Sequence, residues 1–440
     1  MSQPHYLNIM NTDKIFNRQN STLGIMDDLQ FCIHSYDGCG RGCSGCLVDK
    51  DLKNRQRFTG LLSNDTLQII SSRTLEYYDW VQQNLNTKNT GYFAKDAYQV
   101  AHYSYTMRFG NHAELPEEEL FRLAELLPSK FRIFSTGPTQ QLEKFIKLNQ
   151  NYSGRLFLEI IYDPFVDKAN DIKQMMLSMR ENDINGYPEL VLTQKLLSAF
   201  SPQRFVDECI APLSGINAQM QLGRYAPSKT RNFNQSQVVD IDDEVNWLAE
   251  VSKIVMQQNY KISIIPLGEY AITLLDEYGE SKALQADGTI NESLLPEPEP
   301  LDLKGIKDKT RDILLTSLYI DQNMDVYVWS ESMGQHVLDI NYGFGSLGNL
   351  KNTSIQEMVS GKHNKIEKML VEIIRNLVSH PKCAPCRYKS FCASHAVPLF
   401  RKSHNDNGKH CYGYIPAIRE FQKNLDVLDF MVDNFRSLEF

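Results

Sequence analysis

Strand-like and helix-like segments alternate from about residue 28 to residue 225, and this alternation restricts the folds open to the chain. The spacing of Leu67, Ile70, Leu75 and Tyr78 predicts a long helix with these side chains on one face. Repeated strand–helix units imply a parallel sheet, and right-handed crossovers curl such a sheet into a barrel or partial barrel. We therefore expect functional side chains at the carboxyl ends of the strands.

The segments follow one another at regular intervals. Strands are predicted over about residues 31–34, 98–109, 130–135, 155–162, 189–192 and 217–222. Helices are predicted over 66–86, from Pro116 onwards, and over 140–149, 171–180 and 202–210. A helix over 243–256 and a strand over 261–267 either extend the barrel or bridge to the next domain, and 313–329 is predicted to be a β-hairpin. Later helices are predicted over 354–360, 366–377 and 415–434.

Three cysteines, Cys39, Cys43 and Cys46, stand directly after the first predicted strand with C-x3-C-x2-C spacing. Glycines in the spacers let the loop fold back, so three thiolates can meet at one metal centre. A closed structural zinc site takes four ligands, whereas a four-iron cluster held by three cysteines keeps one iron open for a small molecule. The spacing favours the cluster over a zinc loop.

This spacing resembles the hallmark of the radical S-adenosylmethionine (SAM) superfamily, although Gly45 stands where that family often has an aromatic residue. The resemblance implies an α/β fold with a partial (β/α)6-type TIM barrel. It also implies that a four-iron cluster on the three cysteines binds SAM and cleaves it reductively to a 5′-deoxyadenosyl radical. That radical would remove hydrogen from an unactivated carbon of the substrate.

Candidate SAM contacts follow from the same resemblance. Gly110 and Asn111 fall where the family carries a Gly-Gly-Glu motif that binds the SAM amino group. Asp163 falls where the family's fourth strand commonly ends at an aspartate, and the turn 135–137 resembles the family's Thr-Asn-Gly turn. Ordinary strand-to-helix turns would explain all of these residues equally well. His112 is expected to be a solvated loop histidine, and no catalytic acid or base is assigned.

A second group of cysteines lies near the C-terminus: Cys383, Cys386, Cys392 and Cys411. Four thiolates at these spacings fit a structural zinc or a four-iron cluster in which protein holds every iron. The other two cysteines, Cys32 and Cys209, fall in a predicted strand and a predicted helix. We expect both to be buried thiols.

The C-terminal segment resembles the SPASM domain of peptide-modifying radical SAM enzymes, through its hairpin, the turn 348–350 and its cysteine spacing. Ala396 stands where that domain has a further cysteine, and the hairpin lacks the usual cysteine pair. The resemblance therefore implies one auxiliary [4Fe–4S] cluster rather than two, and two [4Fe–4S] clusters in the whole chain. The auxiliary cluster would transfer electrons or hold a small α+β domain together.

These readings divide the chain into five parts. They are a lead-in over 1–27, the barrel over 28–285, an acidic proline-containing linker over 286–311, the auxiliary-cluster domain over 312–412 and a C-terminal helix over 413–440.

The formal net charge of −8 gives no indication of binding to nucleic acid or to an anionic membrane. The sequence has no apolar run close to the roughly 20 residues of a membrane span. Its first 20 residues lack the apolar region of a secretory signal. The expected location is the cytoplasm, where thiols stay reduced, so clustered cysteines indicate metal sites rather than disulfides.

Three functions remain open on the sequence. The first is a radical SAM maturase that crosslinks, oxidises or epimerises a ribosomally made precursor peptide, with flavodoxin or ferredoxin as electron donor. The second is a radical SAM dehydrogenase of a small molecule. The third is a non-catalytic binding protein held together by zinc.

Overall fold

The computed structural model describes the following residues: 29–35, 39, 41–44, 61–86, 103–108, 110–129, 131–139, 142–152, 156–216, 218–225, 234–265, 283, 291–294, 315, 317–330, 336–337, 345–360, 365–381, 383–386 and 425–436. Cys46, Cys392 and Cys411 lie outside these residues, as do the whole predicted lead-in and nearly all of the predicted linker.

A parallel sheet of seven strands forms the centre of the molecule, with neighbouring strands following one another along the chain. The strands are β1 (Leu29–His34), β2 (Tyr103–Arg108), β3 (Phe131–Thr136), β4 (Leu156–Ile161), β5 (Asn185–Leu192), β6 (Ala218–Arg224) and β7 (Ile262–Ile265). The predicted α/β fold with a partial barrel is confirmed. β5 is longer than predicted, and β7 is the expected extension beyond six strands.

The predicted C-terminal hairpin joins this same sheet. Strand β8 (Ser317–Ile320) pairs in parallel with β1, and β9 (Asp325–Ser330) pairs antiparallel with β8. Two short strands, β10 (His336–Val337) and β11 (Gly348–Asn349), pair with β9. The first strand of the chain therefore lies between β2 and a hairpin almost 300 residues away.

Helices connect the strands. They are α1 (Asn64–Asn86), α2 (Glu117–Leu126), α3 (Glu143–Asn151), α4 (Ala169–Glu181), α5 (Gln194–Ala199), α6 (Pro202–Phe205), α7 (Ile241–Gln257), α8 (Ile355–Ser360), α9 (Lys365–Ser379) and α10 (Leu425–Arg436).

Helix α6 has Ser201 as its N-cap and Pro202 in its first turn, both favourable for a helix start. The predicted helix 202–210 continues from α6 as one π-helical turn, Val206–Ile210.

The long helix α1 buries a different face from the one predicted. Leu67 and Ile70 are buried as expected, but Leu75 is 44% exposed. Thr74 and Tyr77 take the buried positions instead, because the periodicity of a straight helix places them on the same side as Leu67 and Ile70. The Tyr77 ring packs edge-on against Phe31 of β1, with 6.4 Å between ring centroids.

The sheet has an apolar face and a polar face. Phe31 of β1 and Tyr105 of β2 face α1, where the Tyr105 hydroxyl contacts the Thr74 hydroxyl. The alternate residues face the inside of the barrel. Buried polar side chains on this inner face are Gln30, Ser104, Ser135, Glu159, Glu189 and Gln219. A concave, polar inner face can bind a polar substrate.

Helix α10 packs against β7, the last strand of the barrel. Its Asn434 amide donates hydrogen bonds of 3.2 Å to the carbonyl oxygens of Tyr260 and Ile262, at the start of β7. The first part of the predicted C-terminal helix, 415–424, lies outside the described residues. Within the described part of the chain, the helices are all too short or too polar to cross a membrane.

Candidate cofactor site at the strand ends

The first cysteine loop begins at the carboxyl end of β1, as predicted. Cys39 and Cys43 are both partly exposed. Among the described residues, no three His, Cys, Asp or Glu side chains come close enough together to hold a metal ion. The proposed third ligand of this loop, Cys46, lies outside those residues.

Arg41 lies between the two described cysteines and extends across the top of the barrel. Its Nε donates a hydrogen bond of 3.5 Å to the Cys43 sulfur. One guanidinium nitrogen, Nη2, donates to the Ile161 carbonyl at 3.1 Å and also forms an ion pair with Asp167. A cationic donor beside a thiol favours the thiolate, which is the form that binds metal.

Asp163 holds the same loop through the backbone. One of its carboxylate oxygens accepts from the Ser44 N–H, and the other accepts from the Phe165 N–H at 3.0 Å. The Asp163 N–H donates to Asp167 at 2.9 Å. Burial raises the pKa of the Asp167 carboxyl, while the Asp163 N–H and Arg41 act in the opposite direction. Two aspartates after β4 therefore fix a loop that follows β1.

Gly110 and Asn111 lie directly after β2. Gly110 has φ of 99°, a left-handed conformation that glycine adopts without strain. The Asn111 side-chain oxygen Oδ1 accepts from the Thr136 hydroxyl at 3.1 Å and from the Gly137 N–H at 3.0 Å. The Asn111 amide donates to Glu114 at 3.0 Å. Asn111 thus joins the turns that follow β2 and β3.

The predicted SAM contacts of Gly110, Asn111 and Asp163 stay a prediction. The side-chain oxygens of Asn111 and Asp163 accept hydrogen bonds from the chain itself, and Asn111 is only 9% exposed. These two side chains hold the loops around the site in place through their hydrogen bonds. The backbone of Gly110, which is partly exposed, is the part of this set most accessible to a ligand.

His112 is fully buried, so the expectation of a solvated histidine was wrong. Its Nδ1 donates to the Ser135 carbonyl at 2.8 Å, and its Nε2 accepts from the Ser35 hydroxyl at 2.9 Å. Burial lowers the pKa of His112 to about 4, and the ring is neutral at pH 7. His112 links the ends of β1 and β3, and Ser35 is the residue from which the cysteine loop departs.

A second polar group lies on the inner face where β1 meets the hairpin. The Tyr319 hydroxyl and the His34 Nδ1 are 2.9 Å apart, a distance that joins β8 to the last residue of β1. Tyr319 is only 3% exposed and packs beside Tyr327, with 5.9 Å between ring centroids. The hairpin of β8 and β9 therefore carries tyrosines on its inner face.

The second cysteine group begins just after α9. Cys383 and Cys386 are partly exposed and lie at the two ends of one turn. The Cys386 N–H donates to the Cys383 carbonyl at 3.0 Å, which makes this a β-turn and brings the two Cα atoms within about 7 Å. Cys392 and Cys411 lie outside the described residues. As expected, Cys32 and Cys209 are buried.

The residues present fit iron–sulfur clusters at both places. Cys39 and Cys43 are partly exposed within one short loop, and Cys383 and Cys386 are partly exposed within one turn. A donor set of thiols without histidine or carboxylate is that of an iron–sulfur cluster or a four-cysteine zinc site. The guanidinium beside Cys43 adds a feature that suits a bound anionic cluster.

Two residues of this site, Arg41 and Asp167, were missed by the sequence analysis, and Gly137 was noted only as part of the turn 135–137. Arg41 is an ordinary polar residue in a cysteine spacer, and its partner Asp167 lies 126 positions away. Gly137 matters because a Cβ there would overlap the Arg41 guanidinium. The only sequence signal was a second aspartate four residues after Asp163.

Comparison with solved structures shows the same fold in an anaerobic sulfatase-maturating enzyme of the radical SAM class. The structure described as native anSMEcpe with bound AdoMet matches with a TM-score of 0.57 at 14% identity, over 92% of this chain and 99% of that one. The structure of anSMEcpe with bound AdoMet and Cp18Cys peptide matches with a TM-score of 0.56 over the same shares. No protein-family model and no curated protein matches the sequence.

Proposed function

We propose that this chain is a radical SAM enzyme that modifies a peptide. The observation that supports this most is the placement of the cysteine loop. It lies at the carboxyl end of β1, above a polar inner face, in a fold shared with anSMEcpe. Active sites of barrels lie at these strand ends.

In this proposal Cys39, Cys43 and Cys46 hold a [4Fe–4S] cluster with one open iron. Cys383, Cys386, Cys392 and Cys411 hold an auxiliary [4Fe–4S] cluster in which every iron has a protein ligand. SAM bound at the open iron supplies, after one-electron reduction, a radical able to remove hydrogen from an unactivated carbon. Gly110, Asn111 and Asp163 remain the proposed SAM neighbours.

The chain's own residues have three tasks in this chemistry. Arg41, Asp163 and His112 hold the cysteine loop against the ends of β3 and β4. The inner face excludes bulk water and offers hydrogen-bonding groups, among them Glu159 and Glu189. The Tyr319–His34 pair can hold or pass on a proton at the Tyr319 hydroxyl.

A peptide is the preferred substrate because two of the similar solved structures are described with a bound peptide. The inner face also carries amides, hydroxyls and carboxylates, which are the groups that bind a peptide backbone. The precursor would be made in the same cytoplasm, and the electron donor would be a flavodoxin or a ferredoxin. A small-molecule dehydrogenase with the same cofactors is the second candidate.

Anaerobic reconstitution tests the cofactors. We expect about eight iron atoms per chain, from two clusters of the four-iron type, and formation of 5′-deoxyadenosine from SAM with dithionite. Replacing Cys39, Cys43 and Cys46 by Ala should abolish that product. The matched control is Cys209→Ala, which removes one buried thiol far from the loop in sequence and should keep the product.

The metal content separates this proposal from the zinc-binding alternative. About four iron atoms with one zinc would support a structural zinc at the second cysteine group. An iron-free protein would contradict the proposal entirely. Co-expression with a candidate precursor peptide, followed by mass spectrometry, separates a peptide maturase from a small-molecule enzyme: a peptide of unchanged mass counts against the maturase.

A further inference from the structure

The Arg41 side chain joins a cysteine sulfur of the first loop to the barrel. Nε donates to the Cys43 sulfur at 3.5 Å, and Nη2 of the same planar group donates to the Ile161 carbonyl at 3.1 Å. Because guanidinium is rigid and planar, fixing one edge fixes the direction of the other.

Asp167 forms an ion pair with Nη2 of that guanidinium. The two side chains are only 12% and 6% exposed, so the ion pair is largely removed from water. The Asp167 carboxylate also accepts from the Asp163 N–H at 2.9 Å, and Asp163 accepts from the Ser44 N–H. The chain of contacts therefore starts at Arg41, passes through two aspartates and returns to the cysteine loop at Ser44.

Gly137 leaves room for this arrangement. It lies directly after β3, and a Cβ at this position would overlap the Arg41 Nη1 and come within 2.7 Å of its Cδ. Contacts that short require the guanidinium to move. The Arg41 side chain can therefore take this position beside Cys43 because residue 137 is a glycine.

We propose that Arg41 is a positioning residue that directs a charged N–H at the Cys43 sulfur and thereby raises the reduction potential of the cluster bound there. The inference rests on the proposed function. Reduction adds one electron, supplied by an external one-electron donor, and makes the cluster more negative. A nearby cation and a hydrogen bond to a ligand sulfur stabilise that reduced state more than the oxidised one.

Asp167 and Gly137 act on the potential through Arg41. Asp167 aims the guanidinium and Gly137 gives it space. Removing the Arg41 side chain should therefore lower the midpoint potential of the cluster. A side chain added at residue 137 would push the Arg41 guanidinium away from Cys43, and this should lower the potential without removing a charge. A lower potential makes the cluster harder to reduce by the same donor.

The test is a redox titration of the reconstituted full-length protein in which electron paramagnetic resonance monitors the reduced clusters. The signal that changes on addition of SAM identifies the cluster with the open iron. We expect Arg41→Ala to shift its midpoint potential to a more negative value, and Arg41→Lys and Gly137→Ala to shift it less. Lysine keeps the charge but lacks the fork that bridges Cys43 and Asp167. Lys147→Ala, at an exposed position on α3, should leave it unchanged.

An Arg41→Ala variant with full iron content and the wild-type potential would overturn the inference. If that variant fails to assemble the cluster, Arg41→Lys decides in its place: a negative shift supports the inference and an unchanged potential overturns it. A wild-type protein without any SAM-responsive signal would instead overturn the proposed function. Iron content and the potential thus separate the two failures.

Discussion

The two cysteine regions of this protein are held in different ways. The first loop is fixed by Arg41 and Ser44, whose partners lie between 119 and 126 positions away. The described part of the second region is fixed locally: the N–H groups of Cys383 and Ala384 donate to the His380 carbonyl at 3.1 and 2.9 Å. The first region is thus tied to the barrel by long-range hydrogen bonds, whereas these hydrogen bonds of the second region join it to the end of α9, beside the contact of Cys383 with the hydrophobic core.

Because of this difference, we expect different mutations to affect the two cysteine regions. Distant residues at the ends of β3 and β4 should affect the first cysteine loop, because they supply its hydrogen-bond partners. The second region should respond mainly to changes in its own segment, since a turn that follows a helix needs only its own backbone groups. The following predictions test that contrast, from the largest expected effect to the smallest.

His112→Ala should be the most damaging of these changes. It removes a fully buried ring and leaves the Ser135 carbonyl and the Ser35 hydroxyl without their described partner. We expect a loss of about 3–5 kcal/mol in the free energy of unfolding, measured by urea denaturation. Lys147→Ala, which removes only an exposed ion pair, is the control. A loss below about 1 kcal/mol for His112→Ala would show that the link between β1 and β3 contributes little.

The same histidine should make stability depend on pH. The folded state lowers the pKa of His112 to about 4, whereas an unfolded chain has a histidine pKa near 6.5. Its contribution is complete above about pH 6.5 and is lost as the pH falls towards about 4, because only the unfolded state binds the proton in that window. The loss should reach about 3 kcal/mol.

Unfolding of wild type and of His112→Gln at several pH values isolates this effect from other titrating groups. The wild type should lose more stability between pH 6.5 and pH 4 than the variant does. Equal slopes for the two proteins would mean that His112 keeps an ordinary pKa in the folded state.

Asp163→Ala tests the long-range support of the first loop. The change removes the acceptor for the Ser44 and Phe165 N–H groups and should cost about 1–3 kcal/mol. Iron bound at the first loop should fall about two-fold or more, while iron at the second region stays constant. Asp171→Ala, on the exposed first turn of α4, is the matched control. Equal iron loss at both regions would break the contrast between them.

Ser354→Ala should have the smallest effect. The Ser354 hydroxyl accepts from the Glu357 N–H at 3.3 Å, and the Glu357 carboxylate accepts from the Ser354 N–H at 3.0 Å. This reciprocal cap starts α8, and its loss should cost about 1 kcal/mol in thermal or urea unfolding. Ser354→Asp should retain most of the stability. SAM cleavage by both variants should match the wild type, and a drop would couple this cap to the first loop.

Local patterns in the sequence were enough to predict the order of strands and helices, the buried Cys32 and Cys209, and the cysteine loop after β1. Side-chain periodicity and ligand spacing are properties of neighbouring residues, so they can be read without knowing the fold. Only the tertiary structure brought β8 beside β1, buried His112 and placed Asp167 against Arg41. Those contacts join residues far apart in the chain, and their geometry follows from the closing of the parallel sheet rather than from any local pattern.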